Sequence, residues 1–386
     1  MSAIDNTKTI DHETFCRQTW AISHIFFLLV TRELLSLVYG QIDASSIFPW
    51  VLFISAMTIL WSNSTLSFIT MLLAQISFAI YSLPDLQNHR YLALFVNIGL
   101  LLSYNNKQFF NQKAIWIISR SLIVVYFFAA FHKVNSDFLN PTTSCATQFT
   151  KNIELLLPFI RYTILDFGSI QIYGTIILEF ILPVLLLFKR TWKYAAILAV
   201  LFHLSLTYDF IKLFINFSGI MIGLVTIITA KKSISSFYAN PKIIRLLLLI
   251  TTFSILSPKY FGFEHFWHIF IVLTVFMFFS IRSIVSILNK SSAHNEDNLE
   301  TSRSLIGCLL VGLLFINAAS PYLNLKNRGA FNMYSNLQIS NSYSNHLLIP
   351  RSIDLLQLGE DIPTGLTAKF LPKVPIDPLV HNVCSW

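Results

Sequence analysis

The chain has 386 residues, of which 54% are hydrophobic and only 12% charged; an average soluble domain carries about a quarter charged residues, so an ordinary water-soluble fold is excluded. The net charge of +8 is scattered through short loops between apolar runs rather than gathered in a patch, which argues against a nucleic-acid partner. Four cysteines, none in a C-x-x-C pair, give no metal signature.

Met1 to Glu13 is polar and holds Asp5, Asp11 and Glu13 before any apolar run, so no cleavable signal peptide is expected and the first span stays as an anchor. About eleven apolar runs of near-spanning length follow, near 17–39, 46–61, 65–82, 90–104, 114–133, 169–188, 194–208, 210–230, 243–257, 264–288 and 304–319. The runs at 90–104, 194–208 and 243–257 are short enough to be re-entrant. The expected fold is an all-α polytopic membrane protein, a bundle of about 9–11 transmembrane helices in a lipid bilayer. No repeat is visible, so residues 1–319 read as one membrane domain.

Lys107 with Lys113, Lys189 with Arg190 and Lys193, Lys231 with Lys232, Lys242 and Arg245, and Arg282 with Lys290 and Arg303 fall in alternate loops, which the positive-inside rule assigns to the cytoplasm. The amino terminus is then inside and the tail outside. The polar stretch SSAHNEDNLETSRS reads as a cytoplasmic loop. After Pro321 the chain turns to Asn, Ser, Tyr and Pro, and NLQISNSYSNHLLIP and LTAKFLPKVPI carry strand-like patterning. Residues 320–386 therefore read as a small extracytoplasmic β-rich tail, in which Asn345 and His346 form either a polar turn or a functional pair. Cys145 and Cys384 both fall outside on this topology, where a disulfide is permitted; Cys16 and Cys308 read as inert thiols.

Ionisable groups inside a span are functional candidates by default. They are Arg32 and Glu33, Arg120, Lys133, Glu179, His203, and Asp209 with Lys212. On the assigned topology His89, Lys133 and His203 reach a similar depth from three helices. Tyr126, Ala129, Ala130 and Lys133 share one helix face, and the two alanines leave room for a flat ligand. Lys133 reads either as a general base in an apolar setting or as a cation that snorkels to headgroups. Arg120 either snorkels or pairs structurally with Glu179, and His203 is either a hydrogen-bonded core residue or a proton shuttle.

Three segments, in order, resemble the vitamin K-dependent gamma-glutamyl carboxylase family: NHRYL at 88–92, YFFAAFHKVNSDF at 126–138, and LEFILPVLLLFKRTWKYAAILAVLFHL at 178–204. The likeness covers about residues 20–230, the membrane region that carboxylases share with bacterial proteins of the horizontally transferred transmembrane (HTTM) domain. It implies that Lys133 is the base that deprotonates a hydroquinone, reduced menaquinone or vitamin K hydroquinone, with dioxygen and carbon dioxide as co-substrates. His89 would then assist catalysis, and Glu179 and His203 would support the pocket; beside them Tyr126, Ala129, Ala130 and His132 read as lining the site, and Asn88, Asn135, Asp137 and Arg120 as structural residues.

Ala130 and Phe138 stand where the family has glycine and tryptophan. The large lumenal region that binds protein substrates in the animal enzymes has no counterpart in a tail of this size. The alternative that the resemblance carries is an HTTM factor that matures or binds a secreted peptide toxin without quinone chemistry. Either way the expected location is a bacterial cytoplasmic membrane.

Overall fold

The computed structural model describes residues 10–29, 44–83, 86–147, 168–207, 214–230, 233–234, 245, 249, 265–288, 304–326, 329–332, 335–340 and 343–353. Among these, ten helices have 15 or more residues. They are α1 His12–Leu29, α2 Ala44–Ser62, α3 Thr65–Tyr81, α4 Asn88–Ser103, α5 Gln112–Phe131, α7 Gly168–Leu187, α8 Trp192–Leu206, α9 Ile215–Thr229, α10 His265–Leu288 and α11 Leu305–Ala319; the short α6 is Ser136–Leu139. The expected all-α architecture is the one that forms. Most of the run 243–257, the polar loop at 291–303, Arg32, Glu33, Asp209 and Lys212 lie outside the described residues.

Among the described residues, three helical segments, Gln112–Phe131, Ser169–Leu187 and Ile271–Leu288, are long and apolar enough to cross a membrane, and four shorter apolar ones lie at Ile47–Ser62, Thr65–Tyr81, Ile215–Thr229 and Leu305–Ala319. On α7, Ile170, Tyr173, Ile177, Ile181 and Val184 are all exposed. Their spacing of three and four residues makes one apolar stripe along the helix, a surface suited to hydrocarbon and costly in water.

The chain divides into two compact units, residues 1–122 with 184–311, and residues 123–183 with 312–386. In the first, α1 packs on α9 and α2, α3 on α2 and α4, and α10 on α8 and α9. The tight α1–α9 contact comes from Gly219 and Gly223. A Cβ on Gly219 would lie 2.9 Å from Phe26 Cβ, and one on Gly223 would run into Ser23. This small-xxx-small spacing is how apolar helices bring their backbones together where no water drives association.

The turn between α2 and α3 is written locally. Asn63 takes a left-handed φ of 48° after the last turn of α2, and Ser64 caps α3 by accepting from Ser67 N. Below it, Ile10–Asp11 (β1) pairs antiparallel with Ser233–Ile234 (β2).

A buried knot ties α1 to the α4–α5 turn. Arg17 Nε donates to Glu13 Oε1 at 2.8 Å, and its other nitrogens reach Thr65 Oγ1 and the Lys107 carbonyl. The Glu13 carboxylate also accepts from the backbone N–H groups of Phe109 and Phe110 at 3.0 and 3.1 Å. The Arg17 guanidinium lies over the Phe109 ring at 5.1 Å. Two charges can remain buried here because the Arg17 donors and the carboxylate oxygens are engaged.

The second unit holds the ends of α5 and α11, α6, most of α7 and the tail. Its described tail residues contain one minimal hairpin, Ile339–Ser340 (β3) with Tyr343–Ser344 (β4); residues 354–386, including the second strand-like stretch and Cys384, lie outside the described residues.

Candidate functional site: a buried lysine–glutamate pair

The run that ends in Lys133 closes α5 by tightening its last turn. His132 N bonds the Phe128 carbonyl at 2.9 Å, while Lys133 N and Val134 N reach only three residues back, to Ala130 and Phe131. Asn135 then opens α6: it is extended, with φ −138° and ψ 161°, and its Oδ1 accepts from Phe138 N at 2.8 Å. Asp137 adds negative charge to that first turn. Lys133 is thus fixed between a helix end and a helix start.

Its side chain folds back into the protein. Lys133 is 5% exposed, and Nζ donates to Glu179 Oε2 at 2.7 Å, Glu179 Oε1 at 3.0 Å and the Ala129 carbonyl at 3.1 Å. These three acceptors match the three N–H donors of an ammonium. The Phe138 ring lies 5.9 Å from Nζ. Snorkelling to a headgroup region is overturned, because the cation is satisfied by the α5 carbonyl end and by a carboxylate. Both Glu179 oxygens accept from Lys133.

Glu179 arrives through α7. Ile172 and Ile176 precede it at two turns and one turn on the same face, and Ile172 packs with Phe138 and Cys145 in one buried cluster, with Ile176 against it. Cys145 is disulfide-bonded, whereas Cys16 and Cys308 are free thiols.

The tail clamps the Lys133 turn, which sequence patterning did not predict. His132 Nε2 is 3.0 Å from the Ala330 carbonyl, so that nitrogen carries the proton, and Nδ1 accepts from the Tyr322 hydroxyl at 2.8 Å. His346 Nε2 likewise donates to the Phe131 carbonyl at 2.8 Å, and its Nδ1 accepts from Leu348 N and Ile349 N.

Main-chain bonds from Ser136 N to the Asn345 carbonyl and from Leu347 N to the Val134 carbonyl zip the two segments together. Asn345 Nδ2 donates to Asp137 Oδ2 at 2.9 Å, and Asn135 Nδ2 donates to the carbonyls of His132 and Ser335. Burial pushes the His346 ring below its ordinary pKa of 6.5 and the Tyr322 hydroxyl above its ordinary 10.0. Asn345 and His346 are therefore a clamp, and both nitrogens of His132 are committed within the protein.

Tyr126 and Ala130 are buried on α5 and Ala129 is half-buried. His89 and His203 belong to the first unit. His89 is buried against Phe27, with ring centroids 5.3 Å apart, and Asn88 is buried beside it. His203 is buried against Phe217 at 5.3 Å. Among the described residues no cluster of three or more His, Cys, Asp or Glu side chains is placed to hold a metal ion. Comparison with protein-family models, with curated proteins and with solved structures finds no match.

Proposed function

We propose that the chain is a membrane-embedded carboxylase-like protein in which Lys133 acts as the general base toward a reduced quinone, with Glu179 positioning it. The observation that supports the reading is the Lys133–Glu179 contact itself: a lysine in an apolar setting, held by a carboxylate that can take or return its proton, is a proton-active pair rather than a surface anchor. The resemblance supplies the quinone. A bound hydroquinone would provide the acidic hydroxyl and the electrons for dioxygen, and CO2-dependent modification of a substrate is the further step that the resemblance implies.

The residues fit such a ring in part. Ala129 and Ala130 are small, and Tyr126 and Phe138 offer aromatic faces, whereas His132 has no nitrogen to give. His89 and His203 are carried as supporting residues on the resemblance alone. For the pair to act as a base, its proton must rest on Glu179, which leaves two neutral groups; a buried ion pair and its neutral form are related by that single transfer.

A second reading is favoured by one observation, the saturation of Lys133 by three acceptors. In that reading the pair is architecture, and the protein is a factor that matures or binds a secreted peptide.

One experiment separates them. Reduced menaquinone or vitamin K hydroquinone is added anaerobically to the protein in lipid, dioxygen is admitted, and quinone epoxide is measured by mass spectrometry for the wild type and the double variant Lys133→Met/Glu179→Leu. Epoxide from the wild type, with a loss of 100-fold or more (about 3 kcal/mol) in a folded, inserted double variant, supports the base. Epoxide unaffected in the double variant, or none from the wild type with either quinol, overturns it.

A further inference from the structure

The first unit buries a second polar set, of which only His89 also enters the Lys133 reading. Arg17 lies over Phe68 and Phe27 against Phe78, an equal step of ten residues along both helices, so α1 and α3 run parallel in register. His24, three residues before Phe27, is thereby level with Gln75, three residues before Phe78. Trp20 Nε1 donates to Asn97 Oδ1 at 2.8 Å, while Phe27 meets His89; moving up α1 is moving back along α4, so these two are antiparallel. Between those contacts His24 lies on α1 between Trp20 and Phe27, and Ala93 lies on α4 midway between His89 and Asn97. Asn97, then His24 with Gln75, then His89 make three successive levels over about 10 Å of helix.

All four side chains are at least 99% buried, and atoms of each lack a hydrogen bond: His24 Nε2, both amide atoms of Gln75, both ring nitrogens of His89, and Asn97 Nδ2. Buried polar atoms are nearly always satisfied, because burying one bare is expensive. Their chemistry is specific. His24 Nδ1 is 2.9 Å from the Trp20 carbonyl, so it carries the proton and Nε2 is a bare acceptor. Asn97 has its oxygen on Trp20 and offers N–H donors; Gln75 and His89 each offer one of both kinds.

No carboxylate lies on α3 or α4, and Glu13, the single one on α1, is bound in the Arg17 knot, so a cation finds no counter-charge. The bare acceptor on His24 repels an anion. Arg90, next to His89, is directed at the Phe78 and Phe27 rings and Ser82 Oγ. What pairs with acceptor and donor together is a neutral hydroxyl.

We infer that the His24–Gln75 level, between Asn97 and His89, is a binding site for neutral hydroxyl groups, supplied by ordered water or by a lipid-soluble phenol or alcohol. The site stands independently of Lys133, since every residue belongs to the first unit. Water satisfies such atoms commonly, and Trp20, Phe27 and Phe78 give a phenol flat walls.

The test is thermal unfolding of the full chain in lipid nanodiscs for wild type, Gln75→Met and His24→Phe, with and without 4-ethylphenol, and with 4-ethylanisole, which lacks the donor. A satisfied Gln75 amide predicts that Gln75→Met lowers Tm by about 2–4 °C, although Met nearly matches the volume. A rise with the phenol but not the anisole, lost in Gln75→Met, identifies a phenol-type ligand; a lowered Tm in the variant with no response to either additive identifies water. Variants that are unchanged or more stable overturn the inference. Nitrogen-15 spectra of the wild-type histidines decide even if both variants misfold: a His24 Nε2 shifted by hydrogen bonding supports the site, and a free imine nitrogen overturns it.

Discussion

The two units each bury an acid–base pair, and they do it differently. Glu13 and Arg17 are four residues apart on one helix, and the carboxylate is shared with two backbone N–H groups of the α4–α5 turn. Lys133 and Glu179 are 46 residues apart on different elements, and the carboxylate is turned wholly to the lysine. The first pair is a structural tie whose acid serves a loop. In the second pair the carboxylate serves the lysine alone, at the end of an apolar helix, which makes it the better candidate for proton transfer.

Breaking the second pair should have the larger effect. Glu179→Leu alone leaves a buried ammonium with only the Ala129 carbonyl and should lower stability by about 3–5 kcal/mol. Lys133→Met together with Glu179→Leu should recover most of that loss. A single variant as stable as the double, by thermal or denaturant unfolding in lipid, would show that the pair is hydrated and not buried.

At the first pair, Glu13→Ala strands the N–H groups of Phe109 and Phe110 along with Arg17, and a loss of about 2–3 kcal/mol is expected. Adding Arg17→Met to it should restore little, because the backbone donors remain unmatched. Recovery equal to that at Lys133–Glu179 would erase the distinction drawn between the units.

The smallest effect concerns the clamp on the Lys133 turn. Burial holds the His346 ring below its ordinary pKa of 6.5, so the unfolded chain takes up the proton first. The stability that neutral His346 contributes is present above about pH 6.5 and lost as pH falls below it. His346→Gln should flatten the pH dependence of Tm below about pH 6.5. An unaltered pH profile in that variant would remove His346 from the clamp.

Much of this architecture was legible in residue order. The apolar runs give the helices, because helical bonds reach only three or four residues. The acidity of Met1 to Glu13 was legible too, but its consequence was not. Glu13 looks like a solvated terminal residue until Phe109 and Phe110 come to it from the far side of α4. His24 escaped notice for the same reason: it lies inside the first apolar run, and its significance rests on being level with Gln75.

The sequence by itself determined that this is an all-α chain with helices suited to a membrane, and that Lys133 stands at a helix end. Only the tertiary structure decided that Lys133 turns inward to Glu179, that the tail grips the turn through His132 and His346, and that four polar side chains on α1, α3 and α4 are buried with unbonded atoms. Helix-forming tendency is set by neighbours within one turn. The partner of a buried charge is chosen by whichever helix packing brings to it, and that choice is made across 46 residues for the pair and about 200 for the clamp.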